Sequence, residues 1–382
     1  MLRFLTAGES HGPGVVAIVE GLPKGIKVSS DGIAAELARR RLGFGRGRRM
    51  QIERDDLEIL GGVRFGETLG SPVAVVVRNT EWPKWQEEMA IEAGDAKRPL
   101  TAPRPGHADL AGMLKFDTHD ARDILERASA RETAARSVVG YLAKQLLAGT
   151  GVSVISHVVA IGQAASNGAA PGPEDQATID DNEVRAFDAE AAAAMIAEID
   201  AAKEARDTLG GVVEVLAYGV PPGIGSHVHY DRRLDGRLAE ALMSIPAIKG
   251  VEVGDGYAVA AGPGSQAHDE IDYIDGEFAR ATLRAGGIEG GISNGSVLRV
   301  RAAMKPLSTL MRPLATVDVV SKEPEKAFRE RSDVCAVPAA GVVAEAMVAI
   351  VVAQELQRKF GGDTLSDLVS SIDAYRKRIA QF

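Results

Sequence analysis

Residues 336–353 read AVPAAGVVAEAMVAIVVA, an apolar run whose single charge is Glu345. The run is near the length that crosses a bilayer, but the glutamate interrupts it, so it reads as a helix buried inside a protein. Helical spacing of apolar residues carries it over 341–359. Outward from it, apolar runs at 14–19 (GVVAIV), 73–77 (VAVVV), 152–161 and 211–216 read as strands, most with Gly or Pro close to an end. Helical periodicity recurs at 31–41, 129–147, 189–205, 235–243 and near the C-terminus. Strands and helices alternate along the whole chain, which makes the class α/β or α+β. No period of 20–50 residues repeats, so solenoids and propellers are excluded.

Two local readings accompany this. Ser129 with Glu132 three residues later forms a capping-box pattern for the helix that follows, and Gly149 stands past its end. The stretch 166–182 (SNGAAPGPEDQATIDDN) is rich in Gly, Pro and Asp and reads as a mobile acidic surface loop inserted in the fold.

The 382 residues carry 44 Lys+Arg against 53 Asp+Glu, a formal charge of −9. Hydrophobic residues at 45% and charged residues at 25% describe an acidic soluble globular protein and exclude disorder, collagen and coiled coil for its bulk. Cys335 is alone and forms no internal disulfide, which fits a reducing compartment, with the cytoplasm as default. The opening MLRFLTAGESHG has no apolar stretch of signal-peptide length, so no membrane partner is expected.

Against the acidic balance, seven arginines fall between positions 39 and 54: Arg39, Arg40, Arg41, Arg46, Arg48, Arg49 and Arg54. Gly43, Gly45 and Gly47 interleave with them. Sharp turns there would aim several guanidinium groups at one phosphate or carboxylate. A solvated basic face is the alternative reading; nucleic acid is disfavoured by the overall charge and by the lack of interleaved aromatics. Of seven histidines, His11 (GESHG) and His107 (RPGHAD) stand in Gly-flanked contexts suited to proton transfer near neutral pH. The pair His227 and His229 has no companion set with zinc spacing, so no metal is expected. GGIEGGISNG at 286–295 precedes a strand, VLRVRAAM, and does not open a helix, so it is not a dinucleotide fingerprint. Lys305 and Ser308 beyond that strand could supply donors to an anion.

GESHG (8–12), RPGHAD (104–109), RASARETAAR (127–136), DTLGG (207–211), MSIPAIKGVEVGDG (243–256), GGIEGGISNG (286–295) and KPLST (305–309) together resemble the chorismate synthase family, in its order and approximate spacing, from residue 4 to about 356. The resemblance implies a single catalytic domain over 1–382 with the family's β-α-β sandwich, assembled as a homotetramer. It also implies reduced FMN as cofactor, with NADPH as reductant in members that have that activity. The implied substrate is 5-enolpyruvylshikimate 3-phosphate (EPSP), which loses phosphate to give chorismate in the last step of the shikimate pathway.

Position by position, the resemblance makes His11 the acid that meets the departing phosphate and His107 the group that protonates reduced flavin. Asp333 becomes the aspartate that assists removal of the ring proton. Ser10, Arg40, Arg46, Arg49 and Arg131 match substrate binders, and Arg40 and Arg46 also match positions for reduced pyridine nucleotide. Arg127, Ala128, Ser129, Pro246, Ala247, Gly290, Lys305, Pro306, Leu307, Ser308, Thr309 and Arg331 match flavin positions. The chain departs from the family where the common GGGRSS is LERAS and where RHDP is Arg331-Ser332-Asp333-Val334. A flavin-dependent hydride-transferring oxidoreductase and a non-catalytic phosphate or nucleic-acid binder are the rival readings.

Overall fold

The structure, a computed structural model, describes residues 1–46, 56–274, 276–330 and 332–382. Strands β1 (Arg3–Ala7), β2 (Gly14–Glu20), β3 (Asp56–Gly61) and β4 (Val73–Arg78) form an antiparallel sheet in the order β1-β2-β4-β3. Period-2 alternation turns Val15, Ala17 and Val19 of β2, with Val73, Val75 and Val77 of β4, into the core. A second antiparallel sheet contains β5 (Ser153–Ile161), β6 (Ala164–Ala165), β7 (Gly211–Tyr218), β8 (Ile248–Val253) and β9 (Leu298–Met304), in the order β8-β9-β7-β5-β6.

Nine helices matter here: α1 (Ser30–Arg41), α2 (Asp109–Phe116), α3 (Arg122–Ala128), α4 (Thr133–Ala148), α5 (Gln176–Asp181), α6 (Ala189–Glu204), α7 (Leu234–Met243), α8 (Val337–Phe360) and α9 (Leu365–Ile379). Helices α1 and α4 pack on the first sheet, α8 packs on β5 and β7 of the second, and α4 runs against α8. The result is a β-α-β sandwich, within the α+β class. Helix α8 starts with Pro338 in its first turn, where a missing N–H costs nothing. Residues Val337–Ala353 are all buried and apolar apart from Glu345, as the sequence reading expects. The two helices approach so closely that a Cβ on Gly140 of α4 would stand 2.2 Å from the Cβ of Ala346.

The charge inside α8 is neutralised within the sandwich. Glu345, 1% exposed, accepts from Arg39 at 2.8 Å, Lys144 at 2.7 Å and the Ser156 hydroxyl at 2.9 Å. Burial works against its ionised form, but Lys144, Arg39 and Arg185 outweigh burial and hold the carboxyl well below the usual range. Arg39 is also paired with Glu36 and with Asp180. It is therefore removed from the anion-facing arginine cluster in which the sequence reading had counted it.

Two further expectations are corrected. Ser129 does not cap α4: its hydroxyl accepts from the Arg131 N–H of a 3-10 turn, Ala130–Glu132, and α4 begins at Thr133. Glu132 reaches instead to Arg136 and Thr6. The acidic 166–182 stretch is not a loop throughout, since it holds a 3-10 turn (Pro173–Asp175) and α5. Ile179 of α5 is fully buried, and Asp180 supplies the carboxylate for Arg39 and Arg185.

Replacing Glu345 by Ala would leave a cavity and three cations, Arg39, Lys144 and Arg185, with two carboxylates, Glu36 and Asp180, to neutralise them. Breaking a buried ion pair by removing one partner costs about 3–5 kcal/mol. Urea denaturation of the Glu345→Ala protein should show a loss of that order; an unchanged midpoint would mean that these cations find other partners.

Candidate functional site

His11 lies in the turn between β1 and β2, with 8% of its surface exposed. Its Nδ1 is 2.8 Å from Oε1 of Glu126 on α3, and its backbone N–H donates to Oε2 of the same carboxylate at 2.8 Å. The Asn79 amide holds the turn from the other side by donating to the carbonyls of Ser10 and Gly12. Trp85 lies over the imidazole, ring centroids 4.0 Å apart. Arg122 lies over Trp85 and donates to Glu126 at 2.9 Å. Burial alone would raise the Glu126 carboxyl, but contacts with His11 and Arg122 bring it below its ordinary value. At the end of α3, Arg127 donates to the Gly8 and Thr6 carbonyls, and the Ser129 hydroxyl donates to that of Ser10 at 3.1 Å. Arg131, 7% exposed, donates to the Arg78 carbonyl at the end of β4.

His107 follows Gly106 at the entrance to α2. Its Nδ1 is hydrogen-bonded to Asp109, which is fully buried and accepts Arg104 Nε at 2.8 Å. Arg104 donates onward to the Thr309 hydroxyl at 2.9 Å, and Lys305 Nζ donates to the Gly106 carbonyl at 2.8 Å. The KPLST segment is thus clamped onto the histidine loop. The Lys305 N–H donates in turn to the carbonyl of Ala247, a residue at φ +70° that follows Pro246. Burial first and the nearby Lys249 second lower the Lys305 ammonium. Among the described residues Lys305 has no carboxylate partner. Ser308 packs beside Gly106, and the Leu307 carbonyl, next to Pro306, accepts the Thr208 hydroxyl.

Arg40, on α1, is 4% exposed. Arg46 follows two glycines with positive φ, Gly43 (+123°) and Gly45 (+84°), which bring its guanidinium to 2.8 Å from Asp333. Arg48, Arg49, Arg54 and Arg331 lie outside the described residues.

The chain around 328–334 ties these parts together. Phe328 donates its N–H to the Ala102 carbonyl and lies under Arg104. Glu330 is 3.7 Å from Arg122, Asp333 pairs with Arg46, and the Val334 N–H donates to the Gly45 carbonyl. Gly290 sits apart, at the tip of the Ile288–Glu289/Ile292–Ser293 hairpin, where Gly291 accepts the N–H of Leu234 at the start of α7. Ala247 follows the other end of that ten-residue helix, about 15 Å away along its axis.

Sequence reasoning had not singled out Glu126, Trp85, Arg122, Arg104 or Asp109. Asp109 was visible two residues from His107; Glu126 and Trp85 carry no comparable local signal. Among the described residues no group of three His, Cys, Asp or Glu converges to hold a metal ion. Cys335 is buried, with its thiol pushed up to about 11 chiefly by burial, which disfavours the thiolate at neutral pH.

Residues 2–356 match the family model described as chorismate synthase. The chain is 60% identical to the chorismate synthase of Salinispora tropica over 98% of both chains, and 58% identical to that of Parafrankia sp. over the full length of both. A crystal structure of chorismate synthase superposes with a TM-score of 0.81 at 41% identity, covering 100% of this chain and 99% of that one.

The pairing of Asp109 has a pH signature. Burial would raise this carboxyl, yet the hydrogen bonds from His107 and Arg104 hold it at about 2. A folded value below the unfolded one, near 3.9, gives stabilisation that is complete above about pH 5 and is lost as pH falls toward 2. Asp109→Asn should flatten the corresponding part of the acid-denaturation curve between about pH 5 and 2, read by circular dichroism at fixed urea. A curve parallel to wild type would show that Asp109 does not contribute to it.

Proposed function

The chain belongs to the chorismate synthase family, a family of carbon–oxygen lyases acting at the last step of the shikimate pathway, and from that premise we propose how its residues divide the work. The substrate is EPSP, and the reaction is a 1,4-elimination. The bond from carbon 3 to the phosphate oxygen breaks, a proton leaves carbon 6, and a second ring double bond forms with no net redox change. A phosphate and two carboxylates need several cations, which Arg40, Arg46, Arg49 and Arg131 supply beside Ser10.

His11 delivers a proton toward the departing phosphate, and Asp333, oriented by Arg46, stands at the ring proton. His107 holds a proton at the flavin edge. The residues around KPLST fit an anionic flavin mononucleotide: Lys305 is a cation with no carboxylate among the described residues, flanked by the Ser308 and Thr309 hydroxyls and by the backbone turn at Pro246 and Ala247. Arg127, Ala128 and Ser129, with Gly290 and Arg331, complete the assignment for FMN. Reduced FMN held by these residues would supply an electron-rich ring able to stabilise charge during the elimination. NADPH is the reductant proposed for members that reduce their own flavin, acting beside Arg40 and Arg46. The working form is a homotetramer in the cytoplasm.

The observation that carries this reading is the way the 328–334 segment joins the His11 cluster, the His107 clamp and the Arg46–Asp333 pair. The test is anaerobic. With photoreduced FMN, EPSP should yield chorismate and phosphate without stoichiometric loss of reductant; consumption of one reductant per product would instead make the enzyme an oxidoreductase. Repeating the assay with NADPH alone decides whether the chain reduces its own flavin.

Arg46→Ala should weaken EPSP binding by about 2 kcal/mol or more, because a desolvated anion loses its paired donor. Lysine should restore only part, since one ammonium does not reproduce the guanidinium fork. Equilibrium titration at wild-type affinity would remove Arg46 from the phosphate site. FMN should also bind more tightly when EPSP is present, as reciprocal coupling requires of two ligands that complete each other's pocket; equal dissociation constants would rule out a shared site.

A further inference from the structure

We propose that Glu126 is the positioning residue for His11, fixing its tautomer and ring orientation so that Nε2 is the nitrogen offered to the substrate. The proposal rests on the reading of His11 as the proton donor. It goes beyond that reading by assigning a role to a residue outside the family pattern used above: the common GGGRSS motif is LERAS here, and Glu126 is the glutamate of that variant.

The geometry is specific. Oε1 and Oε2 of Glu126 lie 2.8 and 3.1 Å from His11 Nδ1, and Oε2 also accepts the His11 backbone N–H at 2.8 Å. One carboxylate therefore grips both the ring and the chain that carries it. The Glu126 carbonyl accepts the Ser10 N–H at 3.0 Å, so the two segments are joined at a third point. The side chain of Glu126 is 3% exposed, and Arg122 donates to Oε1 at 2.9 Å. Trp85 covers one face of the imidazole, its plane tilted 36° from it, and Arg122 lies over the indole with its carbon 5.0 Å from the ring.

An ionised carboxylate only accepts hydrogen bonds, so a ring nitrogen facing it must carry the hydrogen. Nδ1 is thereby committed as a donor, and the exchangeable proton is confined to Nε2. Ionisation of Glu126 is favoured by Arg122 and by the His11 contacts despite burial. Three donors converge on this carboxylate: His11 Nδ1, the His11 N–H and Arg122. A glutamine offers one oxygen and an NH2 that confronts a donor, so it cannot satisfy all three. The same construction recurs at His107, where Nδ1 meets Asp109 and Arg104 braces the carboxylate. A histidine held by a carboxylate at one nitrogen while the other does the chemistry is a general solution to orientation.

The experiment uses the full-length enzyme labelled with 15N-histidine, with His11→Asn identifying the His11 signals, and compares Glu126→Gln, Glu126→Ala and Glu126→Asp with wild type. In wild type, neutral His11 should show a protonated Nδ1 and an unprotonated Nε2. In Glu126→Ala the pattern should move toward the Nε2–H tautomer. Turnover with reduced FMN should fall about 10- to 100-fold in the Gln and Ala variants, with the KM for EPSP within about twofold, and the Asp variant should recover part of the rate. Unchanged 15N shifts in Glu126→Ala, or wild-type turnover in the folded variants, would overturn the proposal. His11→Asn separates this failure from failure of the acid assignment: wild-type turnover there would overturn the catalytic role of His11 and so the premise, whatever the tautomer shows.

Discussion

A helix with almost no polar face must be covered on every side, and most of the architecture follows from meeting that demand for α8. One side is covered by β5 and β7, another by α4, whose Gly140 admits Ala346 at backbone range. The single acid within it, Glu345, is tolerated because Arg39, Lys144 and Ser156 converge on it from α1, α4 and β5. The same event draws Arg39 inward, while beyond the helix the turn at Gly43 and Gly45 carries Arg46 to Asp333. Neutralising the core and forming the Arg46–Asp333 pair are thus tasks of neighbouring parts of one short segment.

Both candidate proton-handling residues sit on short turns whose freedom is removed by side chains from distant parts of the chain. His11 is fixed by Glu126, Asn79 and Trp85; His107 by Asp109, and its loop by Lys305 and Arg104. In each case an arginine neutralises the carboxylate, so the imidazole gains orientation without the site gaining net negative charge. That matters where the substrate is an anion, because an unbraced carboxylate near the site would repel it.

The periodic parts of the chain were legible because their signal is local. The apolar run at 73–77 and the 3.6-residue rhythm at 189–205 correspond to β4 and α6 within one residue at each end. What was hidden depends on partners far apart in sequence. Helix α5 was missed because its one buried apolar residue, Ile179, stands in a Gly- and Asp-rich stretch, and its anchor is an ion pair from Asp180 to Arg39, 141 residues away. Glu126 reaches His11 across 115 residues, which no local pattern announces. The capping expectation at Ser129 failed for a different reason, since Glu132 has better partners in Arg136 and Thr6 than the backbone N–H it was assigned. His11 and His107 stand in short local motifs and the arginine cluster in a local run of like charge, whereas the side chains that hold the histidines act through the fold.

The chain has only two tryptophans, Trp82 and Trp85, and both lie in the same turn. Because Trp85 is stacked on His11, one of the protein's two indole emitters stands within a few ångströms of that imidazole. An imidazolium quenches a neighbouring indole more strongly than a neutral ring does. The protein therefore carries an intrinsic optical reporter of the charge on that one side chain, with no introduced dye.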